Sequence, residues 1–215
     1  MNNSIYVLGI GHNSIAMIEL AEDCGYEIAG LYHYNNERTG EVYFDFKIAG
    51  STEELLSKES LEGMNFLLTM GDNAIRTELY NKIIAKGGNV PSLVHPTATV
   101  SKRSQIGNGV LVMPQSIVQA DVTIGNNTII TLNSVVSHST TIGNNCFISG
   151  NNLIGAYVNV EDNCWIGQAC LIVSGTVNTV GHHSVLGAGS VLRNDMRPGC
   201  LYLGNPARLV KRIKI

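Results

Sequence analysis

From Val94 onward the apolar positions recur at intervals of six, as Val94, Val100, Ile106, Val112, Val118, Ile124, Ile130, Val136, Ile142, Ile148, Ile154, Val160, Ile166 and Ile172. All are Val or Ile. After one interval of eight the period resumes at Val180, Leu186 and Leu192. The residue after the aliphatic is often glycine (Gly107, Gly125, Gly143, Gly155, Gly167, Gly181, Gly187), and the fifth position of the hexad is small or slender, as at Ala98, Ser104, Ser116, Thr128, Ser134, Thr140, Cys146, Cys164, Cys170, Ser184 and Ser190. A helix repeats every 3.6 residues and an ordinary strand every two. A period of six with one inward aliphatic per unit predicts a parallel β-helix whose hexads form flat sides, three to a coil of 18 residues. The small residue then occupies a narrow corner, and Gly or Asn in the turn accepts positive φ.

The first ninety residues carry a different pattern. Ile5–Leu8 reads as a short apolar strand followed by Gly9-Ile10-Gly11-His12-Asn13-Ser14 and a helical stretch from Ile15 to Cys24. Glu27–Tyr32 and Asn65–Met70 read as further strands. The second of these leads through Gly71-Asp72-Asn73 into a helix from about Ala74 to Lys86, with Ile75, Leu79, Ile83 and Ile84 as its apolar positions. Strand alternating with helix predicts a small parallel sheet, in which ligands sit beyond the carboxyl ends of the strands. The expected organisation is α/β plus all-β, a Rossmann-like domain over residues 1–92 and a β-helix with its C-terminal tail over 93–215.

Composition fits this division. Charged residues make up 14% of the chain, well below the roughly 25% of an average soluble domain. A stacked solenoid accounts for that, since its interior takes Val, Ile and small residues and its faces pack on neighbours. A net charge of −3 without a basic face argues against nucleic acid as a partner. No apolar run is long enough to insert in a membrane and the N-terminus lacks a leader pattern, so a cytoplasmic protein is expected. The five cysteines (Cys24, Cys146, Cys164, Cys170, Cys200) show no CxxC pair. Three of them fall on the fifth hexad position, which reads as packing and not as a disulfide or zinc framework.

Two places carry candidate chemistry. The turn Gly9–Ser14 offers backbone N–H groups at a helix N-terminus, suited to a phosphate or sugar, with His12 as an added donor. The dinucleotide fingerprint is incomplete there, because Ser14 stands in the third glycine position and His33 and Tyr34 stand where an acidic ribose ligand is expected. His138 is the third residue of the hexad Val136-Ser137-His138-Ser139-Thr140-Thr141, a position that should project outward, and an imidazole held on a rigid face suits proton transfer. A zinc enzyme on the same scaffold would need three histidines in register, and no H-x4-H spacing exists. His182 and His183 sit in a hexad turn.

The combination of the GxGH turn at Gly9–His12, Met70-Gly71-Asp72-Asn73-Ala74-Ile75-Arg76, Leu93-Val94-His95-Pro96-Thr97-Ala98, Val135-Val136-Ser137-His138 with Ile142-Gly143, and Gly204-Asn205-Pro206-Ala207-Arg208 resembles the hexapeptide-repeat sugar acyltransferases. That family includes N-acetyltransferases of nucleotide-linked 4-amino-4,6-dideoxy sugars and sialic acid O-acetyltransferases. The resemblance implies a left-handed β-helix, a homotrimer with sites between subunits, acetyl-CoA as co-substrate without a metal, and a nucleotide-linked amino sugar as acceptor. It implies His138 as general base with Ser139 beside it. It places CoA along Phe147, Ala156, Gln168, Gly187 and Ala188, and the nucleotide sugar at Gly11, His12, His33, Tyr34 and Gly71. Three features set the sequence apart from the family pattern. Ser139 stands where an acidic residue usually follows the histidine, His33-Tyr34 replaces an acidic pair, and two extra residues lie within Val173–Thr179, where a bulge could reshape the CoA groove. O-acetylation of a sugar hydroxyl and a non-catalytic scaffold are the competing readings. Hydroxyl attack demands the stronger base, so Ser139 favours the amine.

Overall fold

The computed structural model describes residues 3–213, and the chain divides into two compact units, Met1–Leu93 and Val94–Ile215. In the first unit the elements are β1 (Ser4–Leu8), α1 (Ser14–Asp23), β2 (Glu27–His33), β3 (Val42–Tyr43), β4 (Phe46–Ser51), α2 (Thr52–Leu56), β5 (Asn65–Leu68) and α3 (Asn73–Ala85). The sheet order is β3-β4-β2-β1-β5, with β1, β2, β4 and β5 parallel and β3 antiparallel to β4. The chain steps outward from β1 to β2 and β4, then crosses back to lay β5 on the other side of β1. The strand order therefore reverses between β1 and β5, and the crevice beyond their carboxyl ends is where α/β sheets bind ligands. The hairpin β3–β4 and the helix α2, whose Ser51 Oγ accepts from Glu54 N at 3.1 Å, lie in a segment for which the sequence pattern predicts no element.

α3 differs from the expected helix in the face it buries. Arg76, Tyr80 and Ile83 turn inward, while Ile75 and Ile84 are exposed. Of the apolar positions of this helix, Ile83 enters the core, Leu79 packs against the core and also lines a cavity, and Ile75 lines that cavity from an exposed position.

The second unit is a β-helix of two-residue strands stacked in three parallel sheets, one of which ends in the longer antiparallel pair Cys200–Gly204 and Ala207–Arg212. Pairing runs between residues 18 apart, as Ile117 with Val135 and Val135 with Leu153. Beyond the two-residue insertion the offset becomes 20, as Asn159 with Thr179 and Trp165 with Val185. The extra length is taken up in the turn, where Val177 tucks into the core at 1% exposure. From Val112 to Leu192 the repeating aliphatics are buried in one column, whereas Val94 at its start is exposed.

The corner residues satisfy their polar groups across coils. Ser134 Oγ donates to Ser149 O at 2.9 Å and accepts from Asn152 N, and Thr140 Oγ1 donates to Gly155 O at 2.8 Å. The three cysteines of the series do the same, with Cys146, Cys164 and Cys170 Sγ each 3.2 Å from a carbonyl of the next coil. Burial pushes the Cys146 thiol well above its ordinary range and raises Cys170 as well, which keeps both protonated and unreactive.

Positive φ falls three residues after each aliphatic from Ile106 to Leu186, most often on Asn, as at Asn127, Asn133, Asn145, Asn151 and Asn163. The glycines one residue after the aliphatic have a different cause, the close approach of the next coil. A Cβ on Gly125 would stand 2.6 Å from Gly143 C and 2.7 Å from Asn144 N, both backbone atoms that cannot turn aside. Gly125→Ala is therefore expected to destabilise the β-helix by about 1–3 kcal/mol, read as a lowered melting midpoint in denaturant at unchanged slope. An unaltered midpoint would show that the coils can separate freely at this turn.

Candidate functional site

In the first unit the end of β1 runs into Gly9, which has φ of 91° and space for no side chain, since a Cβ would meet Met70 Cε at 3.0 Å. Ser14, the residue in the third glycine position, is 1% exposed and closes the turn by accepting from Gly11 N at 2.8 Å. Its hydroxyl also lies 2.9 Å from Thr69 Oγ1, which donates to Gly9 O at 2.7 Å. The serine is thus a structural tie between the β1 and β5 ends. Tyr43 Oη adds a further bond to Gly11 O at 3.1 Å.

These loops open onto a cavity of about 980 Å³. Gly11, His12, His33, Tyr34 and Gly71 all line it, so the five residues expected to meet a nucleotide sugar share one cavity. Its apolar wall comes from Leu56, Met70, Ile75 and Leu79, and its polar edge from Glu53, Glu78, Lys82 and Lys86. His33 is buried and held by Asn35 Oδ1 at 2.9 Å, with the exposed Tyr34 ring tilted over it at a centroid distance of 4.2 Å.

The two helices that start at this cavity differ. Asp72 caps α3, its Oδ1 accepting from Ala74 N at 2.9 Å and Ile75 N at 3.0 Å, so that terminus has spent its donors and carries a negative charge. α1 begins at Asn13 with no side-chain cap and no acidic residue in its first turn. An anion is favoured at α1 and opposed at α3. The second loop is instead held from within. Arg76 is fully buried and donates to Met70 O at 3.1 Å, Gly71 O at 3.3 Å and Asn73 Oδ1 at 2.8 Å. Sequence reasoning missed this role, because an arginine on an exposed-looking helix face carries no signal of burial.

In the second unit His138 is exposed on a β-helix turn, with its backbone N–H fixed by Gln119 Oε1 at 2.9 Å. Its Nδ1 lies 3.4 Å from Ser139 Oγ, and the Tyr157 ring stands perpendicular to the imidazole at 5.2 Å. Ala156 belongs to the same column of turns, one coil along, and is buried. Gln168, Gly187 and Ala188 lie in the neighbouring column, across the sheet that contains Ile117–Val118, Val135–Val136 and Leu153–Ile154. Phe147 departs from its expected role as a groove wall. It is 3% exposed and stacked on Trp165 at 4.4 Å and 11°. The sheet between the two columns presents an outward aliphatic row, with Ile117 and Leu153 exposed and Val135, Leu171 and Val191 half-buried. The next sheet presents Gln105, Thr123, Thr141 and Asn159.

Among the described residues no group of three or more His, Cys, Asp or Glu side chains is placed to hold a metal ion, and no helix is long and apolar enough to cross a membrane. Residues 4–83 match the PglD N-terminal domain family and residues 103–131 match the bacterial transferase hexapeptide (six repeats) family. No curated relative matches the chain. Among solved structures, the acetyltransferase domain of PglB from Neisseria gonorrhoeae is 28% identical, with a TM-score of 0.88 over 97% of this chain and all of that one. The same domain in complex with acetyl coenzyme A is similar over 98% of this chain and all of that one at 28% identity, with a TM-score of 0.61. PerB from Caulobacter crescentus, in complex with CoA and GDP-perosamine, is 25% identical over 97% of both chains with a TM-score of 0.76. With the fold, these matches make the chain similar along nearly its whole length to hexapeptide-repeat, left-handed β-helix sugar acyltransferases that carry an N-terminal Rossmann-like domain.

Proposed function

We propose that the protein transfers an acetyl group from acetyl-CoA to the amino group of a nucleotide-linked 4-amino-4,6-dideoxy sugar, in the making of a surface polysaccharide or glycan precursor. The observation that carries this reading is the exposed His138 imidazole on a rigid turn. The solved relatives add support, one binding acetyl-CoA and another CoA with GDP-perosamine. The sugar nitrogen attacks the thioester carbonyl, His138 takes the proton that the amine loses, and the tetrahedral intermediate collapses with release of the CoA thiol. The oxyanion formed on the way requires a backbone N–H donor.

The nucleotide belongs in the first-unit cavity. Its diphosphate is assigned to the uncapped start of α1, with His12 as an additional donor, because the Asp72 cap makes the start of α3 unfavourable. Tyr34, 70% exposed, is suited to stack on a base. The residues expected to meet CoA divide between two turn columns with an exposed aliphatic sheet between them. A homotrimer would cover that sheet and bring the column of one copy against another copy's, so the acyl site is assigned to the groove between subunits. Gln168, Gly187 and Ala188 would then serve CoA from one side and His138 with Ala156 from the other.

The test is a panel of nucleotide-linked amino sugars offered with acetyl-CoA, read by thiol release. Turnover is expected with at least one amino sugar and not with its hydroxyl counterpart. His12→Ala is expected to raise the KM for the sugar nucleotide by about tenfold with kcat little changed. An unchanged KM would remove the phosphate assignment, and turnover with hydroxyl acceptors alone would favour O-acetylation.

A further inference from the structure

The turns of the β-helix repeat one left-handed backbone conformation, three residues after each aliphatic of the series from Ile106 to Leu186. Most of the residues placed there are ones that adopt it at little cost, chiefly Asn, Asp, Ser and Gly. Tyr157 is different. It is a bulky aromatic at φ of 61°, and its side chain is 68% exposed, so no burial in the core compensates for the unfavourable backbone. The position one coil earlier holds Ser139 and the next holds Gly175.

What the Tyr157 ring does touch is His138. The ring centroids are 5.2 Å apart and the planes are at 90°. The imidazole is exposed, and among the described residues its one side-chain hydrogen bond is the long 3.4 Å contact between Nδ1 and Ser139 Oγ. A bond of that length orients a ring weakly. We infer that Tyr157 is a positioning residue: its ring walls one side of the His138 imidazole and fixes the rotation in which the imidazole meets the acceptor amine. Strain retained at an exposed position beside reactive chemistry is the pattern that functional sites show. The adjoining Ala156 is small and buried, and Tyr157 N lies 3.4 Å from His138 O, so the tyrosine is set by the same backbone that carries the histidine. This inference rests on His138 being the base.

Three variants, Tyr157→Asn, Tyr157→Phe and His138→Ala, separate the possibilities. Tyr157→Asn installs the residue most frequent at this turn position, so it should fold with a melting temperature at least as high as the parent's. Its kcat is expected to fall about tenfold with KM for both substrates within about a factor of two, the signature of lost alignment and not lost binding. Tyr157→Phe keeps the ring and should retain most of the rate. Independently of activity, the His138 ring protons in NMR should move toward free-histidine positions in Tyr157→Asn and stay in place in Tyr157→Phe, because the perpendicular ring current is lost only in the first. Unchanged kcat and ring shifts in Tyr157→Asn, with His138→Ala inactive, overturn the positioning role. A rise in KM alone also overturns it and assigns the ring to ligand contact. Activity in His138→Ala overturns the base itself, and the inference with it.

Discussion

His138→Ala is expected to lower kcat by about 10²- to 10⁴-fold, the range over which a positioned general base contributes, while the protein keeps its secondary structure and oligomeric state. The separation is possible because the imidazole takes no part in the core. The hydrogen bond that anchors this turn is made by the backbone N–H of His138 to Gln119 Oε1, and alanine retains it. The corner beneath is closed by Thr140 through Gly155 O, again without the imidazole. The measurement is steady-state turnover with the sugar nucleotide found in the panel, alongside circular dichroism and sedimentation. Turnover near that of the parent protein would remove His138 as the base. A collapsed fold would contradict the structural placement of the ring.

How far the sequence discloses this molecule depends on whether one residue decides each feature alone. The six-residue period does so, because an aliphatic at every sixth position fits only one register, and Ile117 pairs with Val135 and Val135 with Leu153 as that period requires. The corner positions are legible where a short side chain with a donor stands, as at Ser134, Thr140 or Cys164, while Val110, Val122 and Val158 fill the same position by packing alone. The glycines after the aliphatics were legible as glycines but not in their cause. Gly125 is required by the neighbouring coil's backbone, a contact 18 residues away that no local rule reveals. β4 reads Phe46-Lys47-Ile48-Ala49-Gly50-Ser51, with too few apolar positions to announce a strand, and it exists because β2 offers it an edge. In the candidate site, the five residues assigned to a nucleotide sugar converge on one cavity, as the strand-end rule implies. Phe147, placed along CoA by the resemblance alone, is 3% exposed and stacked on Trp165, a contact between residues 18 apart that the motif does not carry.

Arg76→Ala is expected to have the second large effect, and on a different quantity. The guanidinium sits at 0% exposure and bridges Met70 O, Gly71 O and Asn73 Oδ1, the loop that joins β5 to α3 and forms one wall of the cavity. Removing it strands two backbone carbonyls and leaves a void the size of the side chain, which together cost about 3–5 kcal/mol. The loss should appear as earlier melting in calorimetry of the first unit, because the loop that Arg76 holds and the helix that carries it both belong to that unit. Where the variant still folds, the released Met70-Gly71 segment should raise the KM for the sugar nucleotide by about tenfold or more while leaving the KM for acetyl-CoA unaltered. Arg76→Lys provides the control on geometry. A single ammonium cannot reproduce the planar fork that reaches a carbonyl pair and Asn73 together, so lysine should recover part of the stability and little of the KM. If Arg76→Ala changed neither melting nor KM, the loop would be shaped by Asp72 and Thr69 alone, and the arginine's burial would have no bearing on the site.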